Sequence, residues 1–216
     1  MHRASGRIRR KAYGDLNAAG LAGFMPAAQG ASDIRAKLHP VMPYVRKIVT
    51  EGHPTLRKVA KRVDPKEIAD PLFQQLIDDM FETMYAAPGV GLAAPQVNVS
   101  KRFFVMDVGE DDEHPEGGRY VVINPKFELT EEEVEMTEGC LSVPGYVGEI
   151  TRFNHVAVSG LDRNGQKIRL EGKGLFAQAL QHEIDHLNGV LYIDKAKNVR
   201  KPQTKEEEEI AEHAEA

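Results

Sequence analysis

Two histidines and a glutamate lie close together in the second half of the chain, in the run Gln-His-Glu-Ile-Asp-His at residues 181–186. His182 and His186 are four residues apart, so on a helix they project from the same face and can bind one metal ion. Glu183 is displaced around the helix, where it can reach a water on that metal without being a ligand. The pattern predicts metal-assisted hydrolysis, and the identity of the third ligand would decide the class of enzyme.

The run lies in a segment with the features of a buried helix. Gly174 opens the segment, Gly189 follows it in a C-cap position, and apolar residues fall nearly all the way round. Imidazole and carboxyl groups inside such a helix are costly unless something compensates them, and a metal ion would do so. The short pattern also occurs by chance, so the helix alone does not establish a metal site.

Two downstream positions can be tested as the third ligand. Metzincins place a histidine at the position that Tyr192 occupies here, which excludes that class. Thermolysin-like enzymes take a glutamate from further along the chain, where this chain has Glu206. Glu206 lies in a like-charge run typical of a solvated tail, so it is a weak candidate. The alternative function that it leaves open is a zincin-type metallopeptidase with Glu206 as third ligand.

Cys140 is an upstream candidate for the third ligand. It is the only cysteine of the chain, in Glu-Gly-Cys-Leu-Ser at residues 138–142, so it cannot form an internal disulfide. Its thiol can be a small buried hydrophobe, a nucleophile or a metal ligand. A further segment, Gly-Val-Gly-Leu-Ala-Ala-Pro-Gln at residues 89–96, has paired glycines that allow another chain or a ligand to approach closely.

In this order, the three segments resemble the motifs of peptide deformylases. That family is marked by Gly-x-Gly-x-Ala-Ala-x-Gln, then Glu-Gly-Cys-x-Ser, then His-Glu-x-x-Asp-His, and all three are intact here. The resemblance covers about residues 45–195 and includes residues 52–57, which look like the family's first strand and turn. It implies a metal-dependent hydrolase that removes the N-formyl group from the N-terminal formylmethionine of newly synthesised proteins and releases formate.

The resemblance assigns the chemistry to particular residues. Cys140, His182 and His186 would bind one divalent metal, with a fourth position open for water, as in catalytic rather than structural sites. Glu183 would be the general base that takes the proton of the water and later gives it to the departing amine. The family implies Fe²⁺ as the metal, with Zn²⁺, Ni²⁺ or Co²⁺ as other possible occupants.

The resemblance also implies how the substrate is held. The side-chain amide of Gln96 and the backbone N–H of Leu141 would stabilise charge on the formyl oxygen. Glu138 would support the site from behind by fixing its loops. The remaining assignments concern the bound peptide, whose backbone would pair with Val90, Gly91 and Gly139 and whose methionine side chain would contact Leu175.

Position 178 departs from the family pattern, because Gln178 stands where many members carry an apolar residue. This departure bears on the shape of the expected methionine pocket.

Composition bounds the partners of the chain. The formal net charge of −5 gives no reason to expect direct nucleic-acid binding, and no apolar run approaches the roughly 20 residues that span a bilayer. The expected partners are N-formylmethionyl nascent polypeptides, with a transient contact to the ribosome as a possibility. A single cysteine that serves as a thiolate ligand fits a reducing compartment.

Periodicity predicts an α+β fold. Asp70-Pro71 begins a helix that ends before Pro88, and a turn at residues 162–165 joins two strands. Further strands are predicted at residues 102–108, 119–124, 127–135, 155–159 and 167–170. This pattern favours the peptide deformylase fold, with antiparallel β-sheets wrapped around a central buried helix that carries the HExxH metal motif.

The sequence divides into three parts. Residues 1–40 are expected to be an N-terminal extension that is disordered or serves as a targeting segment. Residues 41–196 are expected to form the catalytic domain, and residues 197–216 a charged C-terminal tail. An arginine-rich, acid-poor segment at residues 1–38 is compatible with an organelle transit peptide, but the bacterial cytoplasm is the favoured location. The acidic tail would repel ribosomal RNA and should contribute little to ribosome binding.

Overall fold

The computed structural model describes residues 42–109 and 118–202. The predicted N-terminal extension and Glu206 lie outside the described residues. The described helices are α1 (Pro65–Ile68), α2 (Pro71–Ala86) and α3 (Gly174–Leu187), with short 3-10 helices at Pro54–Arg57, Ala94–Val97 and Tyr192–Asp194. The described strands are β1 (Gly91–Ala93), β2 (Phe103–Asp107), β3 (Arg119–Cys140), β4 (Val143–Leu161), β5 (Lys167–Lys173) and β6 (Lys197–Arg200).

The strands pair antiparallel in the order β1-β2-β3-β4-β5, and β6 adds to β4. A largely antiparallel sheet with few helices is an α+β fold, as predicted. No helix among the described residues is long and apolar enough to cross a membrane.

Strand β2 is apolar along most of its length because both of its faces are buried. Phe103 and Val105 pack into one core cluster with the buried face of α2, whereas Phe104 and Met106 pack into a second cluster with α3. Successive strand residues point to opposite faces, so a strand covered on both sides needs no polar alternation. In this part of the fold the sheet is the middle layer, with a helix on each face.

Helix α2 begins and ends where local signals place it. The carboxylate of Asp70 accepts the backbone N–H of Leu72 at 2.8 Å, and Pro71 occupies the first turn, where its missing N–H costs nothing. The helix ends at Ala86, before Pro88. This prediction is confirmed.

The long hairpin of β3 and β4 differs from the short strands predicted there. Residues 119–124 and 127–135 belong to one strand, β3, whose register with β4 shifts between Ile123 and Lys126. At the shift Asn124 has φ 54°, and its side-chain amide bonds the backbone N–H and C=O of Val63, each at 2.9 Å. The amide thus satisfies the backbone hydrogen-bonding groups of a neighbouring segment at the point where the β3–β4 ladder is interrupted. The alternation of residues in the sequence does not reveal such an interruption.

Two other expectations need correction. Residues 52–57 contain no strand, because Pro54–Arg57 forms a 3-10 helix whose N-cap residue, His53, accepts the N–H of Thr55. Lys197–Arg200, assigned to the charged tail, forms β6 and pairs with β4. The sheet therefore continues beyond the predicted domain boundary at residue 196. The charged side chains of Lys197 and Arg200 suit an exposed edge strand.

Candidate active site

Helix α3 brings the two motif histidines together. The helix ends at Leu187, and Gly189, with φ 75°, lets the chain turn back so closely that a Cβ there would lie 2.9 Å from the carbonyl carbon of Arg57. His182 and His186 are four positions apart in the sequence, and their Nε2 atoms lie 3.2 Å apart. The predicted same-face arrangement is thus present.

Cys140 reaches the histidines from the end of β3. Its Sγ lies 3.2 Å from Nε2 of His186, and the backbone N–H of Ser142 points at the sulfur from 3.3 Å. The donor atoms of Cys140, His182 and His186 all lie within 4.8 Å of one another. One anionic sulfur and two imidazoles in this arrangement fit a divalent transition metal.

A buried ion pair orients His182. Nδ1 of His182 bonds Oε1 of Glu138, while Nε and Nη2 of Arg152 donate to the same carboxylate at 2.9 and 2.8 Å. Burial raises the pKa of Glu138, but the hydrogen bonds from His182 and Arg152 outweigh it and lower this pKa to about 2. Glu138 is therefore an anion that holds the ring, with Nε2 of His182 turned toward Cys140 and His186.

The carboxyl group of Glu183 is almost free of protein partners. The residue is 3% exposed, and its Oε2 has no hydrogen-bond partner among the described residues. Burial raises the pKa of Glu183 to about 7. A carboxyl group with a pKa near neutrality can both accept and return a proton at physiological pH.

Gly91 makes room for that carboxyl group. A Cβ on Gly91 would lie 2.9 Å from Cδ of Glu183, closer than real side chains approach. The second glycine of the 89–96 segment therefore permits the approach of α3 to β1. The sequence had predicted close approach at this position.

Gln96 lies beside Cys140 in a fixed orientation. Its Oε1 accepts the backbone N–H of Ala93 at 2.8 Å, which leaves Nε2 directed at Oγ of Ser142, at 3.2 Å, and toward Sγ of Cys140, at 3.7 Å. Leu141 follows Cys140 in the turn between β3 and β4. The amide of Gln96 thus points its donor at the centre formed by the three candidate ligands.

A cavity of about 670 Å³ opens above this centre. The substrate-binding residues predicted from sequence all line it, together with Gln178: Val90, Gly91, Gly139 and Leu175. The carbonyl oxygen of Val90 already accepts the N–H of Asp107 at 2.9 Å, which uses one of its two lone pairs. The roles of these residues stay predictions.

Several supporting residues were missed from sequence. Arg152 is 4–5% exposed and also donates to Asp185 at 2.6 Å, so it joins β4, β3 and α3. The hydroxyl of Tyr192 donates to the carbonyl of Tyr146, 46 residues away, at 3.0 Å. No short-range pattern signals such long-range contacts. Ser142 lies inside the motif at residues 138–142, and this position in the sequence could have marked it as a site residue.

Comparisons with known proteins agree with this geometry. A family model described as polypeptide deformylase matches residues 45–202. The chain is 52% identical over 149 residues to a peptide deformylase of Hahella chejuensis, covering 68% of this chain and 84% of that one.

Solved structures match as well. A peptide deformylase from Ehrlichia chaffeensis in complex with actinonin superposes with TM-score 0.66 and 44% identity, over 72% of this chain and 90% of that chain. A class I type b peptide deformylase from Acinetobacter baumannii, with Met-Ala-Ser bound, gives TM-score 0.66 and 34% identity over 71% and 99%. The chain therefore belongs to the polypeptide deformylase family.

Proposed function

We propose that this chain is the hydrolase that removes the N-formyl group from the N-terminal formylmethionine of newly synthesised proteins and releases formate. The observation that carries the proposal is the convergence of Cys140, His182 and His186 at a cavity that Cys140, His182 and Glu183 line. Beside them, Oε2 of Glu183 has no hydrogen-bond partner among the described residues. The membership of the chain in the polypeptide deformylase family supports the same reaction.

The three converging side chains would hold one divalent metal. Bound there, it would supply Lewis acidity toward the formyl oxygen and acidify the attacking water. Fe²⁺ is the proposed ion, as the resemblance to the family implies, and Zn²⁺, Ni²⁺ or Co²⁺ could take its place because one thiolate and two imidazoles accept several divalent ions. Glu138 and Arg152 would keep His182 oriented whichever ion is bound.

The proton transfers would belong to Glu183. It takes a proton from the water as the water adds to the formyl carbon, and it delivers a proton to the amine as the C–N bond breaks. The side-chain N–H₂ of Gln96 and the backbone N–H of Leu141 would donate to the oxygen on which charge develops. Both are neutral donors, so they stabilise the developing charge without being titrated themselves.

The peptide part of the substrate would lie in the cavity as an added strand. Val90, Gly91 and Gly139, which all line the cavity, would offer backbone groups for this pairing. Leu175 and the adjoining face of the α3 helix would contact the methionine. This is the deformylase arrangement, in which the antiparallel sheet surrounds a buried helix that carries the HExxH motif.

The proposed setting is the bacterial cytoplasm, with nascent formylated chains as substrates and at most transient contact with the ribosome. Residues 41–196 together with strand β6 would form the catalytic unit, and residues 1–40 and 203–216 would be accessory. An organelle, reached through a transit peptide within residues 1–38, is the alternative location.

Formate release from formyl-Met-Ala-Ser tests the proposal, using anaerobically prepared protein of known metal content. We expect the wild type to release formate, and Glu183→Gln to retain its metal while kcat falls by at least about 10²-fold, because the proton acceptor is lost. A metal-loaded wild type that releases no formate would refute the proposed reaction. A Glu183→Gln variant with normal kcat would refute the proposed role of Glu183.

The zincin-type alternative is less well supported, because the family to which the chain belongs is the deformylase family. Cys140→Ala separates the two. A deformylase centre would lose its metal with the thiolate, whereas a centre built on Glu206 would keep it. Metal content after dialysis is the measurement.

A further inference from the structure

Strand β3 has an open edge beside the candidate metal centre. It pairs with β4 through Thr137↔Glu149 and Gly139↔Val147, whereas β2 pairs only with the beginning of β3, up to Ile123. Within residues 42–109 and 118–202, no strand covers the other side of β3 at residues 137–139. Thr137 and Gly139 are both exposed and line the cavity.

Thr137 and Gly139 direct their backbone groups to the same edge. In an antiparallel strand, alternate residues point N–H and C=O to opposite sides, so residues two apart share a side. The carbonyl of Thr137 points away from β4, because it accepts a hydrogen bond from Nε2 of Gln178 on α3, at 3.0 Å. Gly139 therefore also points its N–H and C=O into the cavity.

Gln178 thus occupies the carbonyl oxygen of Thr137, on an edge of β3 that no other described strand covers at this point. It lies one helical turn before His182, between the candidate metal centre and the outer part of the cavity. A peptide whose formyl group lies near Cys140 and whose chain follows the edge passes Gly139 first and Thr137 next. Paired residues recur every second position, so Thr137 would take the peptide residue two beyond the one paired with Gly139.

We infer that Gln178 ends the backbone pairing of the substrate at Gly139, by occupying the carbonyl of Thr137, and so sets how many substrate residues are recognised. The inference rests on the proposed function. Under it, the enzyme reads the first residues of a formylated chain through its backbone and is indifferent to the length that follows. Substrates of very different downstream sequence are then processed alike, because later residues add no fixed contact.

The test is the dependence of kcat/KM on peptide length, from formyl-Met-Ala to formylated peptides of six residues. Gln178→Met keeps a side chain of similar length without a donor, and Gln178→Arg provides a donor that can reach the same carbonyl. For the wild type and Gln178→Arg we expect kcat/KM to level off after the residues that reach Gly139. For Gln178→Met we expect a further rise of about two- to tenfold when the peptide is extended to the second residue beyond the one paired with Gly139, the equivalent of one hydrogen bond, expressed in KM.

A backbone substitution in the substrate sharpens this test. Replacing the amide N–H of the residue that would face Thr137 by an ester oxygen should abolish the gain in Gln178→Met and leave the wild type unchanged. Identical length profiles in the wild type and Gln178→Met, with an active wild type, would overturn the inference and leave the proposed function standing. A wild type inactive on every peptide would overturn both.

Discussion

Gly91 and Glu183 belong to different motifs, and the structure couples them. The carboxyl group of Glu183 lies against the Cα of Gly91, in a site where burial raises its pKa to about 7. The position of this group depends on the missing side chain of Gly91, because little else among the described residues holds its Oε2. A glycine that carries no functional group therefore determines where the proposed base can lie.

Gly91→Ala tests that coupling. The new Cβ would come within 2.9 Å of Cδ of Glu183, so the carboxyl group must move away from the attacking water. We expect kcat to fall by about ten- to a hundredfold, since displacement of a reacting group by about 1 Å has effects of this size. Metal content is the control: it should stay at the wild-type level because no candidate ligand touches Gly91. Unchanged kcat would contradict the proposed role of the glycine.

At the scale of the elements, one arginine joins three of them. Arg152 on β4 binds Glu138 on β3 and Asp185 on α3, and Glu138 in turn holds His182. Arg152 and Glu138 have side chains only 4% exposed. A buried pair is costly to form, but removing one partner is worse, because it leaves a buried charge without compensation.

Arg152→Met should therefore lower the free energy of unfolding of the metal-free protein by about 3–5 kcal/mol. The matched control is Arg169→Met, because Arg169 also binds two carboxylates, Glu128 and Glu171, but its side chain is 51% exposed. That change should cost much less, because water screens an exposed ion pair. Chemical denaturation of both variants measures the free energy of unfolding. Equal decreases in the two variants would show that the buried network contributes no more to stability than the exposed one.

Acid should destabilise the metal-free protein through the same network. The pKa of Glu138 is about 2 in the folded chain and 4.5 in its ordinary state, so the unfolded chain binds the proton first. Stability from this group is complete above about pH 4.5 and is lost as the pH falls toward 2, by about 3 kcal/mol. Glu138→Gln should flatten this part of the pH profile of unfolding free energy. A profile as steep as that of the wild type would exclude Glu138 as its source.

What could be predicted from sequence follows the range of the interactions. Helix α2 was predictable because Asp70 and Pro71 act on adjacent residues, and the motif positions on α3 follow from helical spacing alone. The continuity of β3 was not predictable, because Asn124 interrupts the alternation of the strand. The side chain of Asn124 forms hydrogen bonds with the backbone of Val63, 61 residues away. The supporting role of Arg152 also depends on tertiary contacts, and so does the bond from Gln178 to Thr137.

At the scale of the whole molecule, the match to the family model and the last strand of the sheet end within a few residues of each other. The family model ends at residue 202, just after β6, and Pro202 itself lines the cavity. Strand β6 pairs with β4 at Val147 and Glu149, and Gly148 between them lets it lie close, since a Cβ there would be 2.9 Å from Cβ of Ala196. On its other side, Val147 pairs with Gly139 at the cavity. Strand β6 therefore supports the wall against which a peptide would bind.

Two truncations distinguish this strand from the residues that follow it. A chain ending at Pro202 loses six glutamates and one lysine but keeps β6, so we expect unchanged melting temperature, kcat and KM, and unchanged co-sedimentation with ribosomes. A chain ending at Ala196 loses β6 as well and exposes the edge of β4. Because two backbone pairings disappear beside the cavity wall, we expect a lower melting temperature and a KM for formyl-Met-Ala-Ser raised about two- to tenfold. Equal melting temperatures and equal KM values for the two truncations would show that β6 does not support the site. If the truncation at Pro202 weakens co-sedimentation with ribosomes, the acidic tail has a docking role that its charge argues against.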